Sequence, residues 1–235
     1  MQAGKDVFVE KPMALTLEDA KKMKEVAEET GRILMVGHLL EYHSAVLKLR
    51  EMVDSGGLGK INYVYSNRLN FGKVRTQENA LWSFAPHDVA VVLRLMGQAP
   101  VEVSSTGGSY LTQGIADATL SSLRFDDESR AHIFVSWLHP FKEHRFVVVG
   151  NKGMLSYEDS SDTKELLFYD KVVNQDELMS LKDNGSTAIE YHKGFSLDAQ
   201  LEYFIKSIYE KSSDLNNFKL SMNVVSILEN LKTSR

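Results

Sequence analysis

Two short stretches carry side chains of types that could do chemistry. The first is Glu10-Lys11-Pro12, directly after the β-branched and aromatic run Val7-Phe8-Val9. A strand ending in a carboxylate and an amine places both at its carboxyl end, where the ligand crevice of an open α/β sheet lies. Pro12 fixes its own φ, has no N–H to donate, and biases Lys11 towards an extended backbone, so the lysine is held by local geometry. The second stretch is Trp82-Ser83-Phe84-Ala85-Pro86-His87-Asp88. An imidazole titrates near working pH and can take a proton from a hydroxyl. An amine near a reacting oxygen can stabilise developing negative charge or relay the proton. Taken singly, both have blander readings: a lysine after a strand is mostly a solvated residue, and a histidine beside an aspartate at a helix start often serves as a cap.

The elements that must position them follow from periodicity. Thr16-Leu17-Glu18-Asp19 has a capping-box-like spacing and opens a helix over 16–30, with Leu17, Ala20, Met23 and Ala27 on one face and Gly31 as its stop. Arg32-Ile33-Leu34-Met35-Val36-Gly37 is a nearly continuous apolar run, the pattern of a parallel strand covered on both faces. Strand, helix and strand make one βαβ unit. A dinucleotide-binding domain normally has several, and its first turn carries Gly-x-Gly-x-x-Gly, which does not occur in these residues. Ser55-Gly56-Gly57-Leu58-Gly59 follows a helix and precedes a strand, so it reads as a helix C-cap. The flanks of the strands around Phe8 and Leu34 are expected to be uncovered, which invites pairing with another chain.

After Gly37 the pattern shifts to α+β. A helix is expected over 44–55, a strand over 61–69, an irregular loop over 70–85 and a helix over 86–96. Strands follow over 101–105, 116–125 and 129–138, then a hairpin over 145–150 and 154–157 and a further strand at 166–169. Residues 158–194 are otherwise polar and read as loops. Two amphipathic helices close the chain, striped by Leu197, Leu201, Phe204, Ile205 and Ile208 and by Val224, Ile227, Leu228 and Leu231, and core packing accounts for both stripes. The fold class is therefore an α/β remnant of a Rossmann domain, residues 1–37, followed by an α+β domain, residues 38–235, with a large open, mostly antiparallel sheet; the final helices are allowed to pack back on the first part.

Composition narrows the function classes. With 235 residues, 43% of them hydrophobic and 25% charged, the chain is ordinary for a globular protein with a sizeable core. A net charge of −5 with both signs interspersed gives no footprint for nucleic acid. No apolar run approaches a membrane span, and the absence of cysteine removes disulfides and thiolate metal sites, which is compatible with a cytoplasmic location. His132, His139, His144 and His192 have no metal-ligand spacing and read as satisfied or solvent-facing.

Ala3-Gly4-Lys5-Asp6-Val7-Phe8-Val9-Glu10-Lys11-Pro12 and its capped helix resemble the Glu-Lys-Pro segment of the Gfo/Idh/MocA oxidoreductases. Ser66-Asn67-Arg68-Leu69-Asn70 through His87-Asp88 is similar to their sugar-nucleotide branch. The resemblance implies an NAD- or NADP-dependent enzyme that moves hydride between the cofactor and a secondary alcohol of a sugar or sugar nucleotide. It implies Lys11 and His87 as the catalytic pair, Glu10, Lys11, Pro12, His38 and Trp82 beside the cofactor, and Lys73, Arg75, Asn79 and His87 on a polar or phosphorylated substrate. Many relatives have an aspartate four positions before the histidine, where Ser83 stands. The resemblance also implies a homo-oligomer through the open sheet, and a chain that begins partway through the cofactor domain. Either the first half lies elsewhere, or the chain is a standalone relative, and its dinucleotide binding is expected to be weak. The competing expectation is a non-catalytic sugar-binding or assembly module.

Overall fold

The computed structural model describes residues 1–174, 179–212, 214–231 and 233–234. Val7–Glu10 (β1), Leu17–Thr30 (α1) and Leu34–Gly37 (β2) form the expected βαβ unit, with β1 and β2 parallel and in register from Val7↔Leu34 to Glu10↔Gly37. Its helix starts and stops by local chemistry. Thr16 Oγ1 accepts from the Asp19 N–H at 3.1 Å and donates to the Asp19 carboxylate at 2.8 Å, and Gly31 ends α1 with φ at 61°, where only glycine is unstrained.

Ser44–Asp54 (α2), Ile61–Phe71 (β3) and Ala80–Met96 (α3) come next. The strands Glu102–Gly108 (β4), Ala118–Arg124 (β5), Arg130–Ser136 (β6), Leu138–Gly150 (β7), Met154–Glu158 (β8), Leu166–Val173 (β9) and Leu181–Ile189 (β10) follow. Ser196–Glu210 (α4), Leu215–Asn230 (α5) and the short Thr233–Ser234 (β11) complete the chain. Among the described residues the second sheet has the order β10-β9-β8-β7-β3-β6-β5-β4-β11. Every neighbouring pair is antiparallel except β3–β6 and β4–β11, so the expected open, mostly antiparallel sheet is present. One face takes the alternate residues Val64, Leu123, Ala131, Ile133, Val135 and Val148, and α3 covers it with Leu81, Ala85, Val89 and Val92.

Several elements depart from the pattern reading. Helix α3 begins at Ala80, not at 86, so much of the expected loop is helical: Asn79 Oδ1 caps the Trp82 N–H at 3.0 Å, and Leu81 and Ala85 are buried. Pro86 lies inside the helix. Strand β7 begins at Leu138, with a register irregularity opposite Leu69 and Phe71 that accommodates Pro140. Residues 181–189 are a strand although their polarity suggested loop, because β9 supplies the pairing that their side chains cannot specify; residues 175–178 of that stretch lie outside the described residues. The first closing stripe is not core: Leu197, Leu201 and Ile205 are exposed, while Phe204 meets Phe8 edge-on with centroids 5.5 Å apart. The stripe of α5 is buried as expected. α5 serves two clusters, giving Phe218 and Val225 to the βαβ unit and Val224, Ile227 and Leu228 to the sheet core.

Among the described residues the outer edge of β2 is not left open. The Val36 N–H donates to Asn217 Oδ1 at 2.9 Å, and Asn217 Nδ2 donates to the Val36 carbonyl at 3.1 Å, so an α5 side chain closes the outer edge of β2 as a strand would. Both residues are buried. Asn217→Ala leaves the buried Val36 N–H unpaired, while the Val36 carbonyl keeps the His38 N–H as a donor at 2.9 Å, and is expected to cost about 1–3 kcal/mol. Urea unfolding is expected to show a lowered midpoint at unchanged slope, with Asn217→Asp, which keeps the acceptor alone, in between.

Candidate active site

The site assembles where the end of β1 meets α3. Pro86 has no N–H to offer the carbonyl of Trp82 four residues back, so the helical ladder is interrupted there. The neighbouring carbonyl, of Ser83, accepts a hydrogen bond from Lys11 Nζ at 2.9 Å. Ser83 is one turn before His87, so the residue that directly follows the first strand is tied to the histidine's own helix face. The Lys11–Pro12 peptide bond is cis. Lys11 and His87 line one cavity of about 410 Å³, together with Pro12, Arg68, Asn70, Trp82 and His144. The expected pair, 76 positions apart in sequence, shares a single hollow.

The electrostatics suit proton transfer. Burial, and then the positive charges of Arg68 and Lys11, hold His87 well below its usual pKa of 6.5, so the imidazole is neutral and able to accept. Its Nδ1 is buried with no partner among the described residues, an atom that a bound group or a water would satisfy. Burial also lowers Lys11, with Glu78 opposing. Next to His87, the fully buried Asp88 accepts from Ser66 Oγ at 2.7 Å, from Arg68 Nε at 2.6 Å and from Arg68 Nη2 at 3.3 Å, which locks α3 onto β3.

A second hollow of about 720 Å³ is lined by Lys73, Arg75, Asn79, Trp82 and Ile115 and shares Pro12, Arg75, Glu78 and Trp82 with the first. Of the four residues expected on the substrate, Lys73, Arg75 and Asn79 therefore stand together here, and the fourth, His87, lines the adjoining hollow with Lys11. Asn79 is also engaged as the α3 cap, and Arg75 lies 3.3 Å from Glu78 at the surface. Trp82 and Pro12 belong to both walls. Glu10, exposed at the end of β1, and His38 line neither hollow. His38 is buried, with Nε2 at 3.0 Å from Ser221 Oγ. Arg68, Asp88 and His144 were not anticipated. The period-2 placement of Ser66 and Arg68 on one face of β3 hinted at a shared partner, but nothing in the sequence says that the partner is Asp88. Among the described residues no cluster of three or more metal-ligating side chains occurs, and no helix is long and apolar enough to cross a membrane.

His38 makes acid stability testable. Burial, with Arg94 and Lys11 nearby, lowers it from 6.5 to about 4. Between those values the unfolded chain binds the proton and the folded chain does not, so stability is full above pH 6.5 and falls as pH drops towards 4, by about 3 kcal/mol. In His38→Gln, denaturant midpoints measured from pH 7 to 4 are expected to fall less steeply.

A βαβ unit joined through α5 to a broad, mostly antiparallel sheet, with the end of β1 facing a histidine on α3, defines a two-part fold. The comparisons agree. Residues 1–38 match the model described as "Oxidoreductase family, NAD-binding Rossmann fold", and residues 46–156 match the GFO/IDH/MocA C-terminal domain. The chain belongs to the Gfo/Idh/MocA family. It is 28% identical over 169 residues to a 2,7-anhydro-N-acetylneuraminate hydratase of Mediterraneibacter gnavus, covering 66% of this chain and 45% of that protein. It is 32% identical over 120 residues to a UDP-N-acetylglucosamine 3-dehydrogenase of Acidithiobacillus ferrooxidans, covering 51% of this chain and 37% of the relative. A solved structure of the Acidithiobacillus ferrooxidans UDP-N-acetylglucosamine 3-dehydrogenase superposes with a TM-score of 0.83 at 22% identity, over 98% of this chain and 71% of the other, a likeness of fold. The chain spans about half the length of the curated relatives it matches.

Proposed function

We propose that the site serves transfer of hydride between a nicotinamide cofactor, NAD or NADP, and a secondary alcohol of a sugar or sugar nucleotide. The single observation that carries this reading is the cavity shared by Lys11 and His87, with an amine and a neutral imidazole on one wall system. His87 takes the hydroxyl proton, and its depressed basicity keeps the accepting form populated. Lys11, anchored through Ser83 O, orients the alcohol oxygen and offsets negative charge as it develops there. Lys73, Arg75 and Asn79 hold the remote, polar part of the substrate in the adjoining hollow. Pro12 and Trp82, common to both hollows, form the wall against which a nicotinamide would rest. The bound dinucleotide supplies the hydride acceptor. The unpartnered Nδ1 of His87 and the position at the end of β1 fit such a group; a glycine-rich phosphate turn is not among these residues.

Residues 1–37 are read as the dinucleotide-domain part and 38–235 as the substrate and assembly part, with a second copy packed on the uncovered face of the sheet, where Tyr63 and Leu120 are exposed. Calorimetric titration with NAD, NADP and UDP-N-acetylglucosamine tests the functional reading. Dinucleotide binding in the micromolar range supports the oxidoreductase. Sugar-nucleotide binding without any dinucleotide binding would favour a non-catalytic sugar-binding or assembly module.

A further inference from the structure

We propose that His144, on β7, is a substrate-binding residue that presents a fixed Nε2–H donor to the cavity shared by Lys11 and His87. This rests on the reading of that cavity as the sugar site. His144 lies on its wall, opposite a chain of contacts that begins in the core: Ser66 Oγ donates to Asp88, Asp88 clamps Arg68 through two nitrogens, and the remaining arm of Arg68, Nη1, lies 3.5 Å from His144 Nδ1. A guanidinium can only donate. Nδ1 must therefore be the accepting nitrogen, and a neutral ring carries its proton on Nε2. The backbone holds the residue in place from both sides: the His144 N–H donates to Ser160 Oγ at 2.9 Å, and the His144 carbonyl accepts from the Asp159 N–H at 2.9 Å. Burial, Arg68 and Lys142 lower the ring's pKa to about 4, so the neutral form is the one present at working pH. With Nδ1 turned to Arg68, the atom left for the cavity is Nε2. The two imidazoles of the cavity then differ in kind. His87 is available to accept a proton, while His144 is a tautomer-locked donor suited to a sugar hydroxyl or ring oxygen.

The test uses the chain with ¹⁵N-labelled histidine. At neutral pH the His144 spectrum is expected to show Nδ1 without a proton and Nε2 with one. A predominant Nδ1–H form would overturn the proposal outright. The chain is then titrated with UDP-N-acetylglucosamine, N-acetylneuraminate and scyllo-inositol while the His87 and His144 signals are followed, and the binding variant is His144→Phe, with His144→Gln as the donor-preserving control. The expected result is a shift at both histidines with one of these probes, affinity about tenfold weaker in His144→Phe, and near-native affinity in His144→Gln. A shift at His87 alone, with unchanged affinity in His144→Phe, would overturn the role of His144 and leave the cavity's reading standing. No response at either histidine to any of the three probes would overturn both. Melting temperatures of the two variants separate a loss of binding from a loss of fold.

Discussion

Turnover in the proposed reaction is expected to fall by about 10²–10⁴-fold when His87 is replaced by asparagine, measured with dinucleotide and a secondary alcohol of a sugar or sugar nucleotide. Asparagine keeps a polar side chain of similar reach but cannot take a proton, so the loss belongs in kcat more than in KM. The pH profile adds a second check. A protonated imidazole cannot act as base, so activity falls as pH drops through the pKa of His87. Because burial and the charges of Arg68 and Lys11 hold that pKa well below 6.5, the acid limb of the native profile is expected below pH 6.5, with a flat region above it. An acid limb centred at or above 6.5 would show that another group controls the rate. Lys11→Ala is the companion experiment: the Ser83 carbonyl would lose its partner and the alcohol its orienting amine, and normal turnover would remove Lys11 from the mechanism.

The largest loss of stability is expected from Asp88→Ala. Asp88 is fully buried and Arg68 nearly so, with its side chain 12% exposed, and the two are joined at 2.6 Å. Removing the carboxylate leaves a guanidinium without its counter-charge and the Ser66 hydroxyl without its acceptor, at a cost of about 3–5 kcal/mol. Asp88→Asn keeps the shape and one acceptor oxygen and is expected to lose less. Arg68→Met combined with Asp88→Leu removes both charges together and is expected to recover much of the stability, since burying an ion pair gains little over a well-packed apolar pair. Urea midpoints for the four proteins decide this. Equal destabilisation by the single and the double replacement would show that Asp88 acts through packing and not through charge.

Much of the local structure was legible because it is written in short-range chemistry. Thr16 and Asp19 cap one helix, Gly31 stops it, and the apolar run before Gly37 makes a strand buried on both faces; each depends on residues a few positions apart. The departures have one cause. Asn79 starts a helix that Pro86 seemed to begin, and β10 is a strand because β9 lies beside it. The apolar stripe on α4 looked like core, yet Leu197, Leu201 and Ile205 face outwards. Periodicity shows that a helix has an apolar face without showing what that face meets.

The site divides in the same way. Glu10-Lys11-Pro12 after a strand, and His87 with Asp88 on a helix, could be singled out from residue type and family resemblance alone, and so could the basic pair Lys73 and Arg75. That Lys11 reaches the carbonyl one turn before His87, that Asp88 clamps Arg68, that Arg68 turns towards His144, and that Asn217 closes the edge of β2 were decided only by the folded chain. The physical reason is range. Caps, turns and strand patterns are fixed by neighbours along the backbone, whereas these contacts join residues 20 to 181 positions apart, and only the packing of α3 and α5 against two sheets brings them together.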